Sequence, residues 1–324
     1  MRKLTAFVVV VCACISTAVG QHDPQYSLNF YNQLAYNPGY AGSGGAICAI
    51  ALYRNQWMGF DGAPKTMALS VHGPIDKISS GAGISILNDQ IGYSKDLYFN
   101  LDYAYRLQID DNNTLGMGVG LGFINRSIDG DWVSPDVLQG NTQNSYDDPM
   151  IPHSGSNIAF DSNLGLYFDG SVTKEQAFFA SLGITHLTRP SSKIDKASSE
   201  HSYYARHLFL SGGYDWQMAG KKINIQPLFV LQSDTKLSQL TVGGRAFWQK
   251  QFWGGVMYRV GDAIIPMIGA NLVEPAGLGF GIAYDITLSK LASYTSGSFE
   301  VFVRYCFNLE VNNQRGTYRS VRFL

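Results

Sequence analysis

The residues of this sequence that could take part in catalysis form none of the familiar arrangements. No pair of histidines has the HExxH spacing of a zinc protease, no GxSxG elbow occurs, and no two cysteines have metal-ligand spacing. A catalytic site needs such groups to converge on one point. The six histidines are instead scattered along the chain, as His22, His72, His153, His186, His201 and His207. We therefore expect a protein that is not an enzyme.

One segment is dense enough in carboxylates to raise the question of a metal. The loop from residue 127 to 156 contains five aspartates, namely Asp129, Asp131, Asp136, Asp147 and Asp148. Carboxylate oxygens can hold a calcium ion, and a solvated acidic loop is the alternative. No other cofactor is expected. Trp132 and Tyr146 make the same loop a candidate contact surface for an external partner.

A glycine-rich run at residues 116–123, GMGVGLGF, superficially suggests a phosphate-binding loop. Its glycines recur at every second residue, however, and apolar side chains fill the alternate positions. A phosphate loop leads into a helix, whereas a period of two is that of a β-strand. We interpret the run as a strand with a bare inner face. That face either allows tight curvature of the sheet or leaves room for a plug or a partner's segment.

The stretch from Leu97 to Leu107, LYFNLDYAYRL, indicates which environments such strands separate. Every second residue is apolar or aromatic over the whole stretch, and the other face carries Asn100, Asp102 and Arg106. Strands of this length, with one apolar and one polar face, are typical of outer-membrane barrels. We expect the apolar face to contact lipid and the three polar residues to face the lumen.

Composition and the first twenty residues agree with a membrane barrel. Only 15% of residues are charged, below the roughly 25% of soluble domains, and the net charge of −1 does not suggest nucleic-acid binding. Arg2 and Lys3 precede an apolar run, and small residues precede Gln21, which predicts a cleaved signal peptide over residues 1–20. Lipoprotein processing at Cys14 is the alternative. No later apolar run is long enough for a transmembrane helix.

Turn residues divide the rest of the chain into about fourteen strand candidates. They lie near residues 46–57, 65–73, 80–89, 95–107, 114–126, 157–168, 176–187, 203–215, 222–232, 238–249, 251–260, 262–272, 277–288 and 298–309. We therefore predict an all-β fold, a transmembrane antiparallel up-and-down barrel. If the first strand rises from the periplasm, the long loops all lie outside and the short turns, with both termini, lie in the periplasm.

Two cysteines remain after removal of the signal peptide, Cys48 and Cys306. Residue parity turns both side chains inward, and the first and last strands of a closed barrel are neighbours. Both lie near the periplasmic ends of their strands. A disulfide across this seam or two unpaired thiols are the alternatives in this oxidising compartment.

Segments at both ends of the chain resemble a known family. Residues 23–42 read DPQYSLNFYNQLAYNPGYAG and residues 53–66 read YRNQWMGFDGAPKT. Together with YDITLSKLASYTSGSFEVFVRY (284–305) and the tail YRSVRFL, they resemble the PorP/SprF family of outer-membrane proteins of the type IX secretion system in Bacteroidetes. The family commonly has Pro where this tail has Val321.

The resemblance implies a non-enzymatic, integral component of the outer membrane. It implies support for export or surface attachment of adhesin-type secreted proteins, including those used in gliding motility, or anchoring of periplasmic components. The implied partners are outer-membrane lipid, secreted cargo or type IX components, and a periplasmic peptidoglycan-linked protein. An outer-membrane channel for small molecules is the alternative function.

The resemblance and the strand pattern together assign provisional domains and site residues. We expect a periplasmic or rim segment at residues 21–44 that lies at the rim or tucks into the lumen, a barrel at 45–309 and a periplasmic tail at 310–324. Arg54 and Gln56 are expected to face the lumen. The remaining partner-contact candidates are Asp23, Gln25, Asn37, Tyr40, Arg319 and Arg322.

Overall fold

A closed barrel of fourteen antiparallel strands forms the wall of the molecule. The computed structural model describes residues 23–128, 154–173, 175–192, 202–218, 222–234, 236–272 and 277–307. The wall strands are β1 (Ile47–Asn55), β2 (Lys65–Ile75), β3 (Ser80–Ile91), β4 (Ser94–Gln108), β5 (Asn113–Ile128), β6 (Gly155–Thr173), β7 (Gln176–Thr185), β10 (His207–Gln217), β11 (Ile223–Ser233), β12 (Ser238–Trp248), β13 (Phe252–Arg259), β14 (Ala263–Asn271), β15 (Leu278–Thr287) and β16 (Ser298–Phe307). The predicted fold is confirmed.

The strand limits depart from the prediction by more than two residues in two places. β6 continues to Thr173, because residues predicted as a turn pair with β7 as far as a register irregularity between Ser171 and Thr173. The strand predicted from residue 203 begins at His207, because the two-residue strands β8 (Ser191–Ser192) and β9 (Ser202–Tyr203) pair with each other outside the barrel wall.

Alternation along β4 determines what each face of the wall contacts. The apolar residues from Leu97 to Leu107 are exposed on the outer face, whereas Tyr98, Asp102 and Ala104 are buried inside. The same alternation recurs in most of the other strands, which gives the barrel an apolar outer belt and a more polar interior. Within the described ranges, no helix is long and apolar enough to cross a membrane.

The two ends of the barrel differ in the connections they carry. The turn end, where β1 begins and β16 ends, has connections such as residues 76–79, 109–112 and 249–251. The loop end carries the two longest connections between wall strands, residues 129–154 and 186–206. The connections longer than six residues therefore all lie at the loop end, which is the arrangement seen in outer-membrane barrels.

The seam between the first and last strands closes the wall near the turn end. β1 pairs with β16 in an antiparallel register that places Cys48 opposite Cys306, and the two form a disulfide bond. Pairing of the terminal strands leaves the wall without a free edge, so every wall strand is hydrogen-bonded on both sides.

Candidate functional site

The N-terminal segment, residues 23–45, occupies the interior of the barrel. It forms three single-turn 3-10 helices, Asn29–Tyr31, Gln33–Ala35 and Pro38–Tyr40, and most of its residues are buried. It begins near the loop end, at Asp23, and leads into β1 at the turn end. Two placements were expected for this segment, the rim or the lumen, and residues 23–45 lie in the lumen in this structure.

Glycines on the inner face of the wall make room for the backbone of this segment. A Cβ atom on Gly116 would overlap the carbonyl oxygen of Gly39, and one on Gly118 would overlap Pro38 and Gly39. Gly165 lies in the same way against Asn37. Two readings of the glycine run were open, and the structure shows that it accommodates a plug formed by the chain's own N-terminal segment.

Asn37 ties the middle of the segment to two wall strands. Its side-chain oxygen accepts a hydrogen bond from the Gly39 N–H at 2.8 Å and so caps the third 3-10 turn. Its side-chain amide donates to the carbonyl of Leu166 at 2.9 Å and to the hydroxyl of Ser181 at 2.7 Å. Each of these polar groups is thereby satisfied inside the barrel.

Aromatic stacking fills the interior beside the segment. The ring of Tyr31 stacks on Phe302 with centroids 3.8 Å apart and lies 5.5 Å from Trp253. The guanidinium of Arg245 lies 4.8 Å from the Tyr31 ring, within cation–π range. Nearer the turn end, the ring of Tyr40 meets Tyr167 edge-on at 5.0 Å. The plug is therefore packed rather than loosely threaded.

A buried charge network fixes the loop-end part of the segment. Arg54 donates to Glu300 at 2.9 Å and to Asp285 at 2.8 Å, and Arg259 donates to the same Asp285 oxygen at 2.8 Å. The Glu300 carboxylate also accepts the backbone N–H groups of Ser27 and Leu28, at 2.8 and 2.7 Å. These four charged side chains are at most 2% exposed.

The network matters because charges this deeply buried are costly unless they are paired and hydrogen-bonded. Ser27 completes the pairing: its hydroxyl donates to Asp285 at 2.5 Å and accepts from Arg54 at 2.8 Å. The wall therefore needs the N-terminal segment to satisfy its own buried carboxylates. At this point the hydrogen bonds of the segment and the ion pairs of the wall form a single network.

A second polar cluster holds the beginning of the segment. His186, the residue after β7, lies between two carboxylates: its Nε2 is 2.6 Å from Asp23 and its Nδ1 is 2.7 Å from Asp161. Burial disfavours the charged imidazole, but the two carboxylates outweigh this and raise the pKa of His186 to about 10. Burial likewise disfavours an ionised Asp23, yet His186 and His207 hold the pKa of its carboxyl well below its usual value.

Several residues predicted to contact a partner have contacts within the chain. Asp23 accepts a hydrogen bond from Thr185 at 2.8 Å, Asn37 is fully buried and the Tyr40 ring packs on Tyr167. Gln25 is half-buried in the same segment. The wall thus supplies contacts for Asp23, Asn37 and Tyr40, and the role of these four residues as partner contacts stays a prediction.

The predicted lumen-facing residues lie as follows. Arg54 and Asp102 are buried inside the barrel, and Asn100 accepts a hydrogen bond from Asn163 at 3.3 Å. Arg106 pairs with Asp169 at 3.1 Å. Gln56 follows the end of β1, and its backbone N–H donates to the carbonyl of Pro64 at 2.9 Å.

Other predictions fall outside the described residues. These are the signal peptide at 1–20, the calcium-or-solvent alternative for the aspartates of the 127–156 loop, the contact candidates Trp132, Tyr146, Arg319 and Arg322, and the tail at 310–324.

Sequence reasoning missed the charge network around Arg54. Glu300, Asp285 and Arg259 are charged residues at inward positions of wall strands, and that parity is a signal that they face the lumen but not that they meet. Ser27 and His186 carried no such signal, because neither lies in a strand.

A known protein family matches this chain. The family described as "Type IX secretion system membrane protein PorP/SprF" matches residues 18–305, which is most of the chain. The chain belongs to the PorP/SprF family. A membrane-protein family of a secretion system and a closed barrel with an apolar belt together indicate an integral outer-membrane protein of secretion type.

Solved structures similar to this PorP/SprF chain show the same kind of barrel. The Pseudomonas putida toluene transporter TodX has a TM-score of 0.51 and 11% identity, covering 91% of this chain and 97% of that one. The Ralstonia pickettii toluene transporter TbuX has a TM-score of 0.50 and 12% identity, covering 86% and 93%. At such identities the likeness concerns the fold alone. Comparison with curated protein sequences finds no significant match.

Proposed function

We propose that this PorP/SprF protein is a non-enzymatic docking component of type IX secretion in the outer membrane. In this role it supports export or surface attachment of adhesin-type secreted proteins, or anchors periplasmic components, rather than conducting small molecules. The observation that carries the proposal is the occupied lumen. A barrel filled by its own N-terminal segment can bind partners at its two ends but has no open lumen to conduct them.

The packing of the segment supports this choice over the channel alternative. An open channel needs a continuous water-filled path, whereas here Asn37, Tyr31 and Ser27 bridge the segment to wall strands at successive levels. Opening such a path would unpair the buried Arg54 network, which is energetically costly. The filled state is therefore the working state in our proposal.

The two ends would then serve different partners. We orient the turn end toward the periplasm and the loop end toward the outside, since outer-membrane barrels have short periplasmic turns and longer external loops. Secreted cargo would meet the loop end, and a peptidoglycan-linked periplasmic protein would meet the turn end. Lipid would contact the apolar belt between them.

Photo-crosslinking from one residue at each end tests this arrangement. Phe60 at the loop end is 57% exposed and Ile78 at the turn end is 55% exposed, so a photoreactive residue at either position reaches outward without disturbing the plug. Leu101, 51% exposed in the belt, is the matched control and should capture lipid but no protein. We expect a secreted protein from Phe60 and a periplasmic protein from Ile78.

Measurements of ion conductance and of secreted proteins distinguish the proposed function from the channel alternative. The purified protein should give no sustained ion conductance in planar bilayers, and its deletion should remove a defined set of proteins from the cell surface or medium. Steady conductance by the intact protein, with an unchanged set of secreted proteins in the deletion strain, would favour the channel and overturn the proposal.

A further inference from the structure

Three metal-binding side chains converge inside the barrel near the loop end. Asp23 comes from the N-terminal segment, His186 follows β7 and His207 begins β10. One ligand atom from each lies within 4.8 Å of the others. Both histidines are buried, and the carboxylate of Asp23 is mostly so. This convergence depends on the plug, because the carboxylate that lies close to both imidazoles belongs to Asp23 of the plug.

Both histidine rings are oriented in the way that metal-binding histidines usually are. Nδ1 of His186 lies 2.7 Å from the Asp161 carboxylate, and Nδ1 of His207 lies 3.1 Å from the carbonyl of Ala205. When each Nδ1–H donates to its oxygen, the Nε2 lone pair becomes the ligand. Nε2 of His186 is 2.6 Å from the Asp23 carboxylate. Nε2 of His207 accepts a hydrogen bond from the Asp23 backbone N–H at 3.3 Å, which the ion would displace.

We propose that Asp23, His186 and His207 bind a divalent transition-metal ion of the zinc class, which fastens the start of the N-terminal segment to the barrel wall. Two imidazole nitrogens and one carboxylate oxygen are a ligand set that zinc accepts, with water as the fourth ligand. A cavity of about 40 Å³ borders Asp23 and His186, and the amides of Asn100 and Asn163 line it. That volume accommodates such a water.

The ion requires the three ligand atoms, which lie within 4.8 Å of one another, to move to the spacing of zinc ligands. Zinc bonds of about 2.0–2.1 Å at tetrahedral angles separate two ligand atoms by about 3.3 Å. The Asp23–His186 distance of 2.6 Å would therefore widen by less than an ångström. The metal replaces the proton shared by this pair, so binding releases a proton and weakens as the pH falls. Asp161 acts here as a positioning residue, since it orients His186 without touching the ion.

Metal content of the intact protein tests the site directly. The barrel is purified in mild detergent, stripped with EDTA, equilibrated with zinc and analysed by elemental mass spectrometry. We expect about one zinc per chain, removed again by EDTA, and a loss of at least tenfold in Asp23→Asn and His186→Gln. The matched control is His72→Gln: His72 is also buried and accepts a hydrogen bond from the segment, at Gly42, but lies outside the cluster.

The positioning role of Asp161 is measured separately from the result that would contradict the metal site. Asp161→Asn should retain a tetrahedral cobalt spectrum but bind zinc about 10- to 100-fold more weakly, as loss of an outer-shell partner does. Failure of the folded wild type to retain zinc, or equal zinc retention by wild type and Asp23→Asn, would overturn the proposal and leave a hydrogen-bonded ion pair. The wild-type measurement decides this even if a variant does not fold.

Discussion

The backbone of Gly39, in the N-terminal segment, lies directly against the backbone of Gly118 in β5, so that a side chain on Gly118 would overlap the segment. This contact joins two stretches of sequence that share no pattern. It explains why one strand of the wall carries a bare inner face, and it makes the position of the plug sensitive to a single methyl group.

Replacing Gly118 with Ala is therefore expected to loosen the N-terminal segment. The added Cβ would meet backbone atoms, which cannot move aside as a flexible side chain can, and overpacking of this kind costs about 1–3 kcal/mol. The variant should show faster protease cleavage between residues 23 and 45 and a lower melting temperature. Gly254→Ala is the control, because its Cβ would have ordinary contacts of 3.7 and 3.8 Å. Equal behaviour of the two variants would contradict the proposed role of the glycine.

Replacing Arg54 with Met should strongly destabilise the barrel. It leaves Glu300 without its cation in a site that is 0% exposed, and removing one partner of a buried pair costs about 3–5 kcal/mol. The free energy of unfolding in denaturant, measured in detergent or liposomes, checks this. Arg106→Met is the matched control: its partner Asp169 is 36% exposed, so a loss of about 0–1 kcal/mol is expected. Comparable losses in both variants would show that burial does not set the cost.

Replacing Leu101 with Arg tests which face of β4 contacts lipid. An outward Arg near mid-bilayer costs about 2–4 kcal/mol in barrels, whereas the cost falls to about 0–1 kcal/mol near the interface. Phe60→Arg, beyond the loop-end limit of β1, provides the interfacial comparison. Assembly into the outer membrane and unfolding free energy are the measurements. Unimpaired assembly of Leu101→Arg would undermine the assigned face.

The seam disulfide makes a separate prediction. Peptide mapping without reduction should recover Cys48 and Cys306 in one cross-linked pair. Cys48→Ser/Cys306→Ser should remain a barrel, because the β1–β16 hydrogen bonds persist, but should lose about 2–5 kcal/mol of stability. Adding reductant to the wild type should reproduce the loss and leave the double variant unchanged. Two free thiols in the native protein would contradict the pairing.

The strand pattern was predictable from the sequence because it is local. In most wall strands the alternation of apolar and polar residues shows which face meets lipid and which meets the lumen, as from Leu97 to Leu107. The parity of Cys48 and Cys306 follows from the same rule. The inward position of Arg54 was predictable as well. Its partners were not identified, since alternation shows that Glu300 and Asp285 point inward but not which residue they meet.

What only the tertiary structure decided is the content of the lumen. Residues 23–45 have no periodicity, and their 3-10 turns exist because the wall supplies partners for Ser27, Asn37 and Tyr31. Those partners lie far away in sequence: 258 residues separate Ser27 from Asp285, and 144 separate Asn37 from Ser181. The sequence by itself determined a membrane barrel with an apolar belt and polar interior. Closure of that barrel brought these distant groups together and made it a plugged one.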